Sequence, residues 1–341
     1  MASARLSLLS IMVIVIYGHY GTMEASNDIG VCYGMIGNNL PSPSDVVSLY
    51  KKYGIGKIRL FDPNHAALEA LRGSQIDVSF GVLNQDIPSI ASNQEAANSW
   101  FENNVAPYLN DVTINYISVG NEVIPGEYAG FIVPAMQNLQ KILDDKGLAG
   151  ISITTVVSGQ TLANSYPPSA AIFSAEARET LVQVLKFLSA QANPLMINVY
   201  PYFAYASDPD NVRLDYAQFT ASGPVVVDGS LSYQNLFDAI VDSFFWAMEK
   251  EGVTDVELVV SESGWPSAGN GKLTTPELAA TYNKNFMEHV MKNGTPKKPN
   301  SYIEGFIFAM FNENLKPDGV EQNFGLFYPT MDPVYPIFPE Q

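Results

Sequence analysis

Two glutamates stand where apolar runs end. One closes Ile117-Ser118-Val119-Gly120-Asn121-Glu122. The other lies inside Leu258-Val259-Val260-Ser261-Glu262-Ser263-Gly264-Trp265-Pro266-Ser267. Each run has the length and composition of a buried strand, which puts both carboxylates at strand C-terminal ends. In a barrel of parallel strands the reacting groups gather at that end. Two opposed carboxyls suit glycoside hydrolysis. One, protonated, donates to the leaving oxygen, while the other, ionised, attacks or activates water. Like charge close by raises the pKa of one partner and keeps it protonated near working pH. An isolated strand-end glutamate more often caps the next helix or pairs with a surface cation. Two of them, one preceded by Asn121 and one followed by Gly264-Trp265-Pro266, favour the catalytic reading.

The elements that must position this pair alternate along the chain. Strand-like runs are Ile29–Tyr33, Lys57–Phe61, Val78–Leu83, Tyr116–Val119, Ile151–Val157, Leu195–Tyr200, Glu257–Val260 and Ile303–Met310. Between them, helical spacing predicts helices over Pro43–Tyr53, His65–Leu71, Glu95–Tyr108, Tyr128–Leu143, Ala175–Ala190, Tyr233–Glu251 and Pro276–Lys292. Strands rich in Val and Ile without alternation are buried on both faces, as parallel strands are. Eight such units predict an α/β fold, a (β/α)8 barrel with Glu122 closing the fourth strand and Glu262 the seventh. A doubly wound sheet competes, but no G-x-G-x-x-G follows the first strand. With no repeat, linker or low-complexity tract, residues 27–341 read as one domain. Pro201–Asp228, after the sixth strand, is long and rich in aromatics, and is expected to form a small subdomain.

Composition narrows the function. Of 341 residues 47% are hydrophobic and 16% charged, and the formal charge is −17. The apolar fraction excludes global disorder, and the charge disfavours nucleic acid and anionic membranes as partners while leaving a neutral substrate unaffected. One cysteine, Cys32, excludes an intramolecular disulfide framework, and three scattered histidines (His19, His65, His289) make a metal site unexpected. Gly30-Val31-Cys32-Tyr33-Gly34 superficially resembles a nucleophile elbow, but His289 falls in a helical pattern, so Cys32 reads as a buried structural thiol. Asp208 and Asp210 lack the glycine and distal glutamate of a calcium loop. Met1–Ser26, with Arg5 ahead of the apolar Leu6–Tyr17, reads as a secretory signal peptide too short to span a membrane. No retention tetrapeptide or lipid-anchor tail follows Phe338, and Asn293-Gly294-Thr295 is a glycosylation sequon.

At the two glutamates the sequence resembles glycoside hydrolase family 17, the plant endo-1,3-β-glucosidases. The resemblance is carried by Val259 to Ser267, Ile29-Gly30-Val31-Cys32-Tyr33-Gly34, Val119-Gly120-Asn121-Glu122, Asn198-Val199-Tyr200-Pro201-Tyr202-Phe203, Met310-Phe311-Asn312-Glu313-Asn314 and Asn323-Phe324-Gly325-Leu326-Phe327. It runs from Ile29 to Phe338. It implies a (β/α)8 barrel and internal cleavage of β-1,3-glucan by a retaining double displacement, with no cofactor. Glu122 resembles the family's acid/base, Glu262 its nucleophile and Asn121 the residue holding the sugar 2-hydroxyl. Glu313, Lys316 and Glu321 fall where the family has a charged cluster near the cleavage site. Phe61 stands where relatives often carry Tyr. Tyr200 and Trp265, beside the motifs, are expected to stack on glucose rings; Tyr202 and Phe311 are weaker candidates.

The leading expectation is therefore a secreted, monomeric endo-1,3-β-glucosidase acting on callose and fungal wall glucan, in the apoplast rather than the vacuole. A mixed-linkage β-1,3-1,4-glucanase or transglycosylase would share the catalytic pair. A non-catalytic glucan-binding protein would not need both glutamates intact.

Overall fold

The computed structural model describes residues 27–292 and 294–338. The signal peptide expected over Met1–Ser26 and the sequon residue Asn293 lie outside the described residues. Eight parallel strands close a barrel: β1 (Asn27–Cys32), β2 (Ile55–Leu60), β3 (Asp77–Val82), β4 (Thr113–Asn121), β5 (Ser152–Ser158), β6 (Leu195–Asn198), β7 (Leu258–Ser263) and β8 (Glu304–Ile307). β1 pairs with β2 and β8, and every other strand with its neighbours in sequence, so the predicted (β/α)8 order holds. All six residues of β7 are buried, as expected of a strand covered on both faces.

Helix starts are written locally. Ser42, Asn64, Asn93, Ser174, Asn235 and Thr275 each cap a helix by accepting a backbone N–H from three residues on. Pro43 and Pro276 occupy first-turn positions where no N–H is needed. The expected helix from Glu95 to Tyr108 stops at Asn104, with a 3-10 turn at Ala106–Tyr108 around Pro107. The eighth strand ends at Ile307 rather than Met310. Beyond it the Phe308 and Met310 N–H groups donate to Ser263 and Cys32 carbonyls.

The stretch after β6 folds into the helices Pro201–Ser207 and Leu214–Ala217 and a hairpin of Val226–Asp228 with Leu231–Tyr233. Tyr216 and Tyr233 pack with Ala239 into a small core of their own. A second hairpin, Leu162–Asn164 with Ile172–Phe173, was not expected from sequence; at three and two residues its strands are too short to show a period. Among the described residues no helix is long and apolar enough to cross a membrane.

Candidate active site

Both glutamates arrive at the C-terminal mouth of the barrel by an irregularity in their strands. On β4, Ser118 faces Thr154 but Asn121 faces Val156, so β4 holds one residue more than β5 over that span. On β7, Val260 faces Ile197 and Glu262 faces Asn198, again one residue extra. Such bulges re-aim the side chains beyond them. At β4 the turn is sharp: Gly120 has φ 81° and Glu122 itself φ 54°. A left-handed backbone at a glutamate is uncommon and marks a position held by its surroundings. Here the Glu122 N–H donates to Val156 O at 2.9 Å, and Asn84 brackets the Asn121 peptide on both sides, at 3.0 and 3.2 Å.

Glu262 is buried and both its oxygens are taken. Arg59 Nη1 donates to Oε1 at 2.6 Å, and Tyr200 Oη donates to Oε2 at 2.7 Å. Arg59, on β2, is 1% exposed and forms a buried ion pair with this carboxylate. Burial, then the Glu262 charge, hold the Tyr200 phenol well above its ordinary pKa, so it remains a donor. Beneath them Cys32 is fully buried, its thiol on Ser261 O at 3.3 Å. Burial pushes that thiol up to about 12, so it is a structural group, as its sequence context predicts.

Glu122 lies open to the groove. One oxygen, Oε1, accepts from Asn198 Nδ2 at 2.7 Å. Its pKa is raised, mainly because the groove walls displace water. The Asn198 hydrogen bond opposes that rise, and the Glu262 charge adds to it. Asn121 Oδ1 accepts from Arg59 Nη2 at 2.8 Å, which joins the two carboxylates through one hydrogen-bonded network.

Asn121, Glu122, Asn198, Tyr200 and Glu262 line a cavity of about 920 Å³, together with Phe61, Phe203, Phe308 and Phe324. Glu313, Lys316 and Glu321 line it too. Glu313 is 2% exposed; its Oε1 accepts from Ile36 N–H at 2.8 Å and its Oε2 lies 3.4 Å from Lys316 Nζ. Gly34 makes room for it, since a Cβ there would sit 2.3 Å from Glu313 Oε2.

Two aromatic expectations divide. Tyr200 reaches the cavity, though its hydroxyl is committed to Glu262. Trp265 does not, and its expected stacking role is corrected: it is fully buried, its rings packed on Tyr202, Tyr205 and Tyr282, and its Nε1 donates to Leu273 O. Gly264, just before it, allows a close backbone approach: a Cβ there would lie 2.2 Å from the Phe308 carbonyl oxygen. Tyr202 and Phe311 are buried as well. The exposed ring on the cavity is Phe203. Arg59 and Asn198 carry the network yet received no role from sequence. Asn198 left a signal, a lone amide ending the apolar run 195–197 where an unpaired polar group would be costly, whereas Arg59 follows Lys57 by two positions and does not stand out.

A parallel barrel with one saturated carboxylate and one half-free carboxylate at its mouth is equipped for hydrolytic sugar chemistry. Residues 29–338 match the glycosyl hydrolases family 17. A probable glucan endo-1,3-beta-glucosidase of Arabidopsis thaliana is 54% identical over 340 residues, covering 98% of each chain. A basic vacuolar glucan endo-1,3-beta-glucosidase of Nicotiana plumbaginifolia is 44% identical, covering 97% of this chain and 91% of its own. Among solved structures, a plant beta-glucan endohydrolase, one of two described as having distinct substrate specificities, superposes with TM-score 0.88 at 49% identity, over 91% of this chain and 100% of its own. The chain belongs to glycosyl hydrolases family 17, and it is a glycoside hydrolase.

Proposed function

We propose that this enzyme hydrolyses internal β-1,3-glucosidic bonds of glucans by a retaining double displacement, with Glu262 as nucleophile and Glu122 as acid/base. The observation that supports the assignment is the asymmetry of the two carboxyls. Glu262 receives a guanidinium and a phenol, donors that stabilise a carboxylate. Glu122 has its pKa raised by desolvation, and its second oxygen has no hydrogen-bond partner among the described residues, as a proton donor needs.

In the first step a Glu262 oxygen bonds to the anomeric carbon as the glycosidic bond breaks, and Glu122 delivers its proton to the departing oxygen. In the second, Glu122, now ionised, takes a proton from water as that water displaces Glu262. Asn121 has its oxygen held by Arg59, which directs its amide nitrogen toward donating to a sugar hydroxyl. Tyr200 and Phe203 would contact flanking sugars, and Glu313, Lys316 and Glu321 would bind along the same groove. The similarity to proteins named glucan endo-1,3-beta-glucosidases supports an interior cut in a polymer such as callose or fungal wall glucan. We place the enzyme in the apoplast, as a monomer, on the strength of the leader sequence and the acidic charge. A reporter inserted after the leader and found in the vacuole would refute that placement.

The test is product analysis. Laminarin should be cleaved to oligosaccharides whose newly formed ends are β by NMR before mutarotation. Mixed-linkage glucan cleaved faster than laminarin would transfer the enzyme to the alternative substrate, and α ends would refute retention.

A further inference from the structure

Asn198 ends β6 and faces Glu262 across the β6–β7 pairing. It is buried, and its amide meets three groups. Nδ2 is 2.7 Å from Glu122 Oε1 and makes a longer contact of 3.4 Å with Asn121 Oδ1, while Oδ1 accepts from Ser261 Oγ at 2.8 Å. Chemistry fixes the direction of these bonds. Arg59 has donors only, so the Asn121 atom 2.8 Å from its Nη2 must be the oxygen. That oxygen can share only an N–H with Asn198, which turns Nδ2 toward Asn121 and Glu122 and leaves Oδ1 for the Ser261 hydroxyl. Polarity set by one buried guanidinium is thus passed through two amides to the second carboxyl.

We infer that Asn198, locked from behind by Ser261, is a positioning residue that decides which oxygen of Glu122 carries the catalytic proton. Oε1 is occupied as an acceptor, so the proton resides on Oε2, which among the described residues has no hydrogen-bond partner. The inference rests on the reading of Glu122 as acid/base. Without Asn198 the two oxygens become equivalent, the proton spends part of its time on the wrong one, and the ionised form needed in the second step loses its donor.

The experiment compares Asn198→Ala, Ser261→Ala, the double variant and Glu122→Ala on two substrates. Laminarin needs the proton; a 2,4-dinitrophenyl β-glucan oligosaccharide, whose leaving group departs as an anion, does not. For Asn198→Ala, kcat/KM on laminarin should fall roughly 10–10²-fold, kcat/KM on the activated glycoside should stay within about twofold of the parent, and the alkaline limb of the laminarin pH profile should move up. Ser261→Ala removes one small hydroxyl and is the variant to rely on if Asn198→Ala does not fold. It should shift both readouts the same way by less, and the double variant should match Asn198→Ala because Ser261 acts through it. Equal losses on both substrates with an unmoved limb, or additive losses in the double variant, would overturn the positioning role. Glu122→Ala separates the two ideas. If it too loses the activated substrate and gives no β-glycosyl azide with azide, the acid/base assignment itself fails. If it behaves as an enzyme lacking only its acid, a negative result at Asn198 counts against Asn198 alone.

Discussion

The two glutamates share a barrel mouth and little else. Glu262 is buried on a strand with no exposed residue, and a guanidinium and a phenol close off both of its oxygens. Glu122 is the first residue beyond its strand, itself in left-handed backbone and open to the groove, with the Asn198 amide on one oxygen. The difference teaches that the sheet itself can set protonation roles. A residue within a strand inherits partners from both neighbouring strands and from the barrel interior. A residue just past a strand is exposed to the substrate and to a partial loss of water. On the proposed roles, these different surroundings are what would divide two chemically identical groups between nucleophile and acid.

The comparison breaks most visibly if the pair is dismantled one side at a time. Glu262→Ala should lower kcat on the order of 10⁴-fold or more, since both chemical steps pass through it. Azide should then restore turnover and yield an α-glycosyl azide. Glu122→Ala should cost roughly 10²–10⁴-fold through lost proton transfer, and its azide product should be the β-anomer. Exchanged anomers in the two variants would exchange the roles.

Removing the cation under Glu262 tests the buried half of the contrast. Arg59→Met leaves a buried carboxylate without its partner, a change that typically costs about 3–5 kcal/mol. Denaturant unfolding should show that loss. Arg59→Met combined with Glu262→Met should recover most of it, because no buried charge is then left over. If the double variant is as unstable as the single one, the ion pair is not what makes Arg59 necessary.

How far these two sites could be read from sequence follows from the same physics. β7 throughout and β4 over residues 117–120 are visible as apolar runs because they are buried on both faces, and the barrel follows from the repetition of such runs. The two glutamates are visible because they interrupt those runs. Asn198 also interrupts an apolar run, at β6, and Arg59 stands beside Lys57 in β2, but what the two do depends on partners 76 and 203 positions away in the chain, and no local pattern records that pairing. Trp265 shows the converse. Its place beside the Glu262 motif suggested a sugar platform, yet the indole packs into the core against Tyr202, Tyr205 and Tyr282, partners that no local pattern records. The short hairpin of Leu162–Asn164 with Ile172–Phe173 leaves too few residues for any period to emerge.

The smallest expected effect concerns what raises the Glu122 pKa. Desolvation by the groove walls is the main cause, the Glu262 charge adds to it, and the Glu321 charge adds least of the groups that act on it. On the proposed mechanism the active form in the first step is protonated Glu122, so the rate should fall as pH rises through its pKa, and that pKa should set the alkaline limb of kcat/KM. Glu321→Gln removes a like charge and should therefore move the limb down. Asn198→Ala, which removes a donor to the ionised form, should move it up. The Glu321 displacement should be the smaller of the two and should shrink further in high salt, because a charge acting across an open groove is screened. A Glu321→Gln shift that equals or exceeds the Asn198→Ala shift would mean that charge rather than lost water tunes the acid. The contrast between a saturated and a desolvated carboxyl would then have to be redrawn as one between two charged sites.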